Sequence, residues 1–327
     1  MANKTYIVTG GLGFIGSNFV NYLCDSTDCS VIIIDSITYA ANPKFIKDKH
    51  FKSGRARTLI CDISTDLDAL DNIFKLTKIN GVFNFAAETH VDNSITGPRV
   101  FIKTNIEGTF NLIDCVRRHS ECRYLQISTD EVYGSLSKSD PSFTENTNLS
   151  PSSVYSSSKA SADLIINSFH ATYGVDTIIT RCCNNYGPHQ HVEKLIPKTI
   201  LAALGNRDIP VYGKGDNIRE WIHVYDHCTA IKRAFDIGTS GDVYNIGSGV
   251  ETDNITIVKK ILHITKKPLN LIKFVKDRLG HDLRYSIDSS KFRELCGNTW
   301  RLKYDRENFN DGLDQTILWY RENHKKA

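Results

Sequence analysis

The sequence predicts an α/β protein: a doubly wound parallel sheet with a second, smaller mixed α/β domain. Three observations predict it. The first half alternates short β-branched apolar runs with amphipathic helical patterns. The runs are apolar almost throughout, as in strands buried on both faces of a parallel sheet. After about residue 184 the alternation stops, and Gly-Pro and Gly-x-Gly punctuation appears in "YGPHQ" and "VYGKGD".

The elements follow in order. "TYIVTG" (5–10) is the first strand, with a helical pattern over 14–25 behind it. "SVIIIDS" (30–36) and "RTLICDI" (57–63) are the second and third strands, and a helix spans 66–78. "GVFNFAA" (81–87) leads to a helix over 98–118 that is apolar on more than one face, through Val100, Phe101, Ile106, Phe110, Leu112, Ile113 and Val116. "RYLQIST" (123–129), a helix over 152–173 and "DTIITR" (176–181) complete the regular part. A helix over 226–237 followed by "DVYNIG" (242–247) reads as a late return to the first sheet. Such strand-helix alternation is the pattern of doubly wound folds. The expected domains are 1–184 with a return segment at about 226–247, and a discontinuous second domain from 185–225 and 248–327.

Composition narrows the function classes. The chain has 327 residues, 40% hydrophobic and 24% charged, with a net charge of +3. Acidic and basic residues are mixed throughout, which argues against a nucleic-acid or membrane surface. No apolar run approaches the ~20 residues of a membrane span. "MANKTYIVTG" enters a strand at once with no signal-peptide pattern, so a cytoplasmic protein is expected. The nine cysteines are scattered, with no C-x-x-C pair, and read as buried reduced thiols. His189 with His191, and His223 with His227, lack convergent partners at ligand spacing, so no metal is expected.

"TGGLGFIGSN" lies between the first strand and its helix, with glycines at 10, 11, 13 and 16. A Gly-rich strand-to-helix turn lets backbone approach a pyrophosphate, and the helix N-terminus favours its charge. Asp35 closes the second strand ~20 residues on, where an acid accepts hydrogen bonds from ribose hydroxyls. It would repel a 2′-phosphate, and "DSITYAAN" offers no Arg or Lys to welcome one. This is the Rossmann pattern, and NAD is favoured over NADP. Asp62 and Ile63, at the end of the third strand, fall where an adenine edge would lie. The small Ala86 and Ala87, after the fourth, would let a cofactor pass close to the backbone.

"VYSSSKASAD" puts Tyr155 and Lys159 four apart, on one helix face. The Lys159 ammonium is expected to lower the pKa of the phenol, which could then take a proton from a substrate hydroxyl. "ISTDEVYG" (127–134) poses a separate problem, because adjacent strand residues point to opposite faces. Asp130 and Glu131 can serve one pocket only if the strand stops by about Thr129 and the chain turns there.

"TGGLGFIGS", "STDEVYG" and "YSSSK" together resemble the extended short-chain dehydrogenase/reductase superfamily, and within it the nucleotide-sugar 4,6-dehydratases, above all those acting on dTDP-glucose. The likeness runs from about residue 5 to 310 and includes "AAETHVDNSI", "NNYGPHQHVEKLIPK", "PVYGKGDNIREW" and "DRLGHDLRYSID". It implies NAD-dependent C4 oxidation, elimination of water across C5 and C6, and hydride return to C6, on the path to rhamnose-type deoxysugars. Thr129 then binds substrate, Asp130 is the acid, Glu131 the base, and Tyr155 with Lys159 the oxidation pair. The implied cofactor contacts are Gly10, Gly13, Phe14, Ile15, Gly16, Asp35, Ser36, Thr38, Asp62, Ile63, Phe85, Ala86, Ala87, Thr104, Tyr155, Lys159 and Asn185. The implied substrate contacts are Glu88, Thr129, Asn184, Lys194, Leu195, Pro210, Val211, Tyr212, Arg219, Asn254, Arg278 and His281. The family usually dimerises through the helices over 98–118 and 152–173, so a homodimer is expected.

Two stretches depart from the bacterial dTDP pattern. "HQHVEK" (189–194) replaces a stretch that usually carries an aromatic and a proline, and Asn93 stands where Arg is common, as in the plant UDP-glucose enzymes. Thymine and uracil differ by one methyl, worth ~1–3 kcal/mol in a pocket, so both dTDP-glucose and UDP-glucose stay open. The alternatives are a nucleotide-sugar 4-epimerase, which needs Tyr155 and Lys159 but no paired acids, and a non-catalytic NAD-binding regulator.

Overall fold

A computed structural model describes residues 4–277 and 281–324. Its centre is a seven-stranded parallel sheet. The strands are β1 (Thr5–Thr9), β2 (Ser30–Asp35), β3 (Ala56–Ile60), β4 (Gly81–Asn84), β5 (Arg123–Thr129), β6 (Thr177–Cys182) and, after three strands that lie outside this sheet, β10 (Val243–Ile246). Their order is β10-β6-β5-β4-β1-β2-β3. The β-branched run Val31–Ile34 is almost wholly buried, and helices pack on both faces, which gives two apolar cores. The strand order reverses between β1 and β4, where crevices form at the carboxyl ends of strands.

The intervening strands, with two that follow β10, build the second region. β7 (Asn184–Tyr186), β9 (Ile218–His223) and β11 (Glu251–Asp253) form a mixed sheet in the order β11-β9-β7. β8 (Ile209–Tyr212) pairs in parallel with β12 (Ile272–Val275). A third core around Tyr186, Trp221, Ile257, Phe309 and Ile317 packs beneath the mixed sheet.

Several elements differ from the expected ones, for physical reasons. β3 is an edge strand rather than a strand buried on both faces, and its Ile60 is 70% exposed. It stops at Ile60, so Asp62 and Ile63 lie in the following turn, where Asp62 accepts from the Ser64 amide at 2.9 Å. β4 likewise ends at Asn84, ahead of Phe85–Ala87. The expected helix over 98–118 forms as one continuous helical run from Arg99 to His119, but a π-turn at Ile102–Glu107 interrupts its α-helical segments at Arg99–Phe101 and Gly108–His119. Gly97 and Pro98 separate this run from a short helix at Val91–Thr96, since proline disfavours helix in the residue before it. The wide π-turn holds the buried Asn105, whose side chain bonds both the amide and the carbonyl of Glu88 and the Ser158 hydroxyl. Helix Val154–Tyr173 starts at a capping box between Ser153 and Ser156 and ends at Gly174 with φ +69°.

Candidate active site

A cavity of about 370 Å³ opens over the carboxyl ends of β1, β4 and β5. Its first wall is the glycine turn. Gly10 has φ +61°, and a Cβ there would meet Ala86 N at 2.8 Å, so the ends of β1 and β4 can approach only with glycine at this position. A Cβ on Gly16 would fall 2.2 Å from Gly10 O. Helix Phe14–Ser26 begins directly behind, and its N-cap, Gly13, offers no side-chain cap to the first amides. Asp35 lines the same wall; its two oxygens accept from the Leu12 amide at 3.0 Å and the Ile37 amide at 2.8 Å. Each oxygen keeps a lone pair for a ribose hydroxyl. The thin backbone, open amides and acid suit a dinucleotide such as NAD. All seventeen residues named above for the cofactor line this cavity.

The second wall carries the acids. β5 stops at Thr129, and Asp130–Tyr133 turn at once into a 3₁₀ helix. Thr129, Asp130 and Glu131 all border the cavity with Tyr155 and Lys159. The Thr129 hydroxyl caps the turn by accepting from the Glu131 amide at 3.3 Å, and lies 3.2 Å from Asp130 Oδ1. Asp130 is 2% exposed, and its Oδ2 is buried without a hydrogen-bond partner. Burial, then the charges of Glu131 and Glu220, push its pKa well above the ordinary carboxylate value. The shift favours the protonated form of Asp130, the form an acid needs before it donates.

The oxidation pair departs from expectation in one respect. The Lys159 ammonium donates to the Ile127 carbonyl at 2.6 Å, at the end of β5. Burial, followed by Glu131, raises the Tyr155 phenol well above its usual pKa, and Lys159 does not offset this. Burial also lowers the pKa of Lys159 itself, against the nearby charge of Asp163.

The named substrate residues split into two groups. Glu88, Thr129, Asn184 and Lys194 line the cavity. Burial and the Glu193 charge raise the pKa of Glu88, and Lys194 donates to the Thr89 carbonyl at 3.1 Å. The other described ones do not line it, because they belong to the second region and its own packing. Leu195 packs against the cores beneath that region. Val211, on β8 with Pro210, is buried against Ala203 and Leu262. Tyr212 instead faces His281, with ring centres 6.4 Å apart, and His281 pairs with Asp277 at 2.7 Å. Arg219 lies over the Tyr285 ring at 4.4 Å and donates to the Asp282 carbonyl at 3.0 Å. Asn254 opens the helix after β11, its amide bonded to the Asn217 carbonyl. Arg278 lies outside the described residues.

Residues 7–312 match the family described as GDP-mannose 4,6 dehydratase. The chain belongs to the nucleotide-sugar 4,6-dehydratases of the extended short-chain dehydrogenase/reductase family. Among relatives of this dehydratase family, the low-salt glycan biosynthesis protein Agl12 of Haloferax volcanii is 44% identical, over 96% of this chain and 97% of its own. A dTDP-glucose 4,6-dehydratase of Escherichia coli is 42% identical, over 97% and 93%. The crystal structure of a dTDP-glucose 4,6-dehydratase from Streptomyces venezuelae, with NAD bound, matches with a TM-score of 0.91 and 41% identity over 98% of both chains. A UDP-glucose 4-epimerase of Thermotoga maritima has a similar fold, with a TM-score of 0.88, but only 26% identity over 98% and 99% of the chains.

Other residues of this dehydratase cavity were not singled out from the sequence: Ser128, Cys182, Cys183, Gln190 and Glu193; His191, weighed above only as a metal ligand, also lines it. Glu193 stands within "HVEK", where its place beside the quoted Lys194 was the available signal. The nine cysteines are free and buried. Among the described residues no group of three or more His, Cys, Asp or Glu is placed to hold a metal. His189 stacks on Phe45, and His227 bonds Asn185 at 2.9 Å. Among the described residues no helix is long and apolar enough to cross a membrane.

Proposed function

We propose that this chain converts dTDP-glucose or UDP-glucose to the NDP-4-keto-6-deoxyglucose, with NAD as resident cofactor. The observation that carries the reading is the turn after β5, which brings two adjacent acids into the cavity that also holds Tyr155 and Lys159. Residues 1–184, with the return segment at about 226–247, form the cofactor domain; 185–225 and 248–327 form the sugar-nucleotide domain. The pairing of β10 with β6 supports that division.

The glycine turn and the amides of helix Phe14–Ser26 would hold the pyrophosphate, and Asp35 the adenosine ribose. When bound, NAD supplies the hydride acceptor for C4 and the hydride donor for C6. Tyr155 takes the proton of the 4-hydroxyl as C4 becomes a ketone. The ketone acidifies the C5 hydrogen, and Glu131 removes it. Asp130, in its protonated form, gives its proton to the departing 6-hydroxyl, and water leaves. A proton then returns to C5. Thr129 orients the sugar, and Lys159 keeps positive charge beside the site. Arg219, Arg278, His281 and Lys194 would clamp the diphosphate.

Turnover in deuterated water tests the reading with either sugar nucleotide. The expected product is a 4-keto-6-deoxy sugar labelled at C5, whereas an unlabelled epimer would mean a 4-epimerase. Comparing the two substrates at steady state assigns the base. The product suits rhamnose-type deoxysugar synthesis, and nine buried free thiols suit the reducing cytoplasm.

A homodimer belongs to the same proposal. Val100, Ile102, Phe110, Leu164 and Tyr173 are apolar yet 42–59% exposed on the helical segments at Arg99–His119 and Val154–Tyr173. Light scattering should give a dimer at micromolar concentration for the wild type and a monomer for Phe110→Glu with Leu164→Glu. A monomeric wild type would sink this part.

A further inference from the structure

The two halves of the chemistry sit on different elements. Tyr155 and Lys159 ride on helix Val154–Tyr173, while Asp130 and Glu131 ride on the turn after β5. A helix and a turn meet through side chains, so their mutual placement depends on what joins them. Arg181, on β6, touches both. Its Nε donates to Asp163 Oδ2 at 2.9 Å, and Asp163 lies one turn beyond Lys159 on the same helix. A terminal nitrogen of Arg181 donates to the Tyr133 hydroxyl at 2.9 Å, and its guanidinium lies 4.9 Å from the centre of that ring. Tyr133 closes the turn that Asp130 and Glu131 open.

The chain of bonds continues into the sheet. The Tyr133 hydroxyl donates to Asn245 Oδ1 at 2.8 Å, and Asn245 is the strand partner of Arg181 in the β10–β6 pair. Asn245 in turn donates to the carbonyls of Phe143 and Asp288, at 3.0 and 3.2 Å. All four members are almost wholly buried: Asp163 and Asn245 at 0% exposure, Tyr133 at 2% and Arg181 at 3%. Buried polar groups joined in this way define one arrangement, since each broken bond leaves an unsatisfied partner.

We propose that Arg181 is a positioning residue that holds the oxidation pair, Tyr155 and Lys159, in register with the elimination pair, Asp130 and Glu131, through Asp163 on one side and Tyr133 on the other. The inference rests on the dehydratase reading. Arg181 reaches the substrate through neither wall; it acts by fixing the separation between two walls. Its planar fork can serve two acceptors in different directions, which a lysine ammonium at the same place cannot match.

The test uses holoenzyme of wild type, Tyr133→Phe and Arg181→Lys, mixed with each sugar nucleotide in single turnover. Reduced cofactor is followed by absorbance, keto-deoxy product by quenching, and folding by thermal unfolding. Tyr133→Phe removes one hydroxyl and keeps the ring. Both variants should reduce cofactor at close to the wild-type rate but eliminate water on the order of ten-fold more slowly, because small misplacements of reacting groups are costly. Reduced cofactor should therefore accumulate. A purely structural role would lower the unfolding midpoint while leaving the ratio of the two rates at its wild-type value, and that unchanged ratio in Tyr133→Phe overturns the proposal. Wild-type enzyme that dehydrates neither sugar nucleotide overturns the functional reading, and this inference with it.

Discussion

Tyr155→Phe should abolish the first oxidation. The variant keeps the ring, its burial and the edge contact with Phe101 at 6.4 Å, and loses only the group that accepts the 4-hydroxyl proton. General-base catalysis of this kind contributes roughly 10²–10⁴-fold, and the expected fall in turnover is of that order. Rapid mixing with substrate should show no build-up of reduced cofactor, because the block precedes hydride transfer. Reduced cofactor forming at the wild-type rate would assign the base elsewhere. The pH profile should carry the phenol's signature. Burial and Glu131 push its pKa up in the free protein, so oxidation should speed up as pH rises toward the phenol's pKa in the complex.

Asp130→Asn should separate oxidation from elimination. The amide keeps the carboxyl's shape but is a poor proton donor, so cofactor reduction should persist while water loss slows by roughly 10²-fold or more. Quenched samples should then contain the 4-keto sugar with its 6-hydroxyl still in place. Dehydration at the wild-type rate would remove Asp130 from the mechanism. The sign of the pH dependence is fixed by its raised pKa. Asp130 acts in its protonated form, so its contribution to elimination is full below that pKa and fades as pH rises through it. Stability follows the same direction. The folded chain binds this proton more tightly than the unfolded chain, so this residue's contribution is greatest at low pH and declines as pH climbs from the ordinary carboxylate value to the raised one. Above that window the wild type buries a charge that the variant lacks. The stability of Asp130→Asn relative to wild type should therefore improve as pH rises through that window.

The cofactor wall was legible in the sequence because its determinants are local. Gly10, Gly13, Gly16 and Asp35 stand at fixed offsets from strand ends, and strand ends are where parallel sheets bind ligands. The paired acids were legible for the same reason, since Thr129 is both the last strand residue and the cap of the turn. The edge position of β3 was not legible, because an apolar run does not reveal whether another strand lies beyond it. The π-turn at Ile102–Glu107 was not legible either, because it accompanies the contacts of Asn105 with Glu88 and Ser158, residues distant in sequence. The second group of substrate residues illustrates a different limit. Val211 and Leu195 share a stretch with polar neighbours, and only packing decides which of them turns inward to Ala203, Leu262 and the helical core. Lys159 shows the limit for electrostatics: spacing placed it on the face of Tyr155, but its bond to the Ile127 carbonyl depends on where β5 ends.

The late return of β10 has a consequence for how the chain is made. Synthesis delivers β6 at residues 177–182, but its outer neighbour only at 243–246. Until then the growing polypeptide presents the row of β6 amides and carbonyls uncovered, in a form that other strands can capture. A fragment stopped near residue 184 would keep that edge permanently, so the cofactor half should aggregate when produced alone and become soluble when residues 224–247 are supplied.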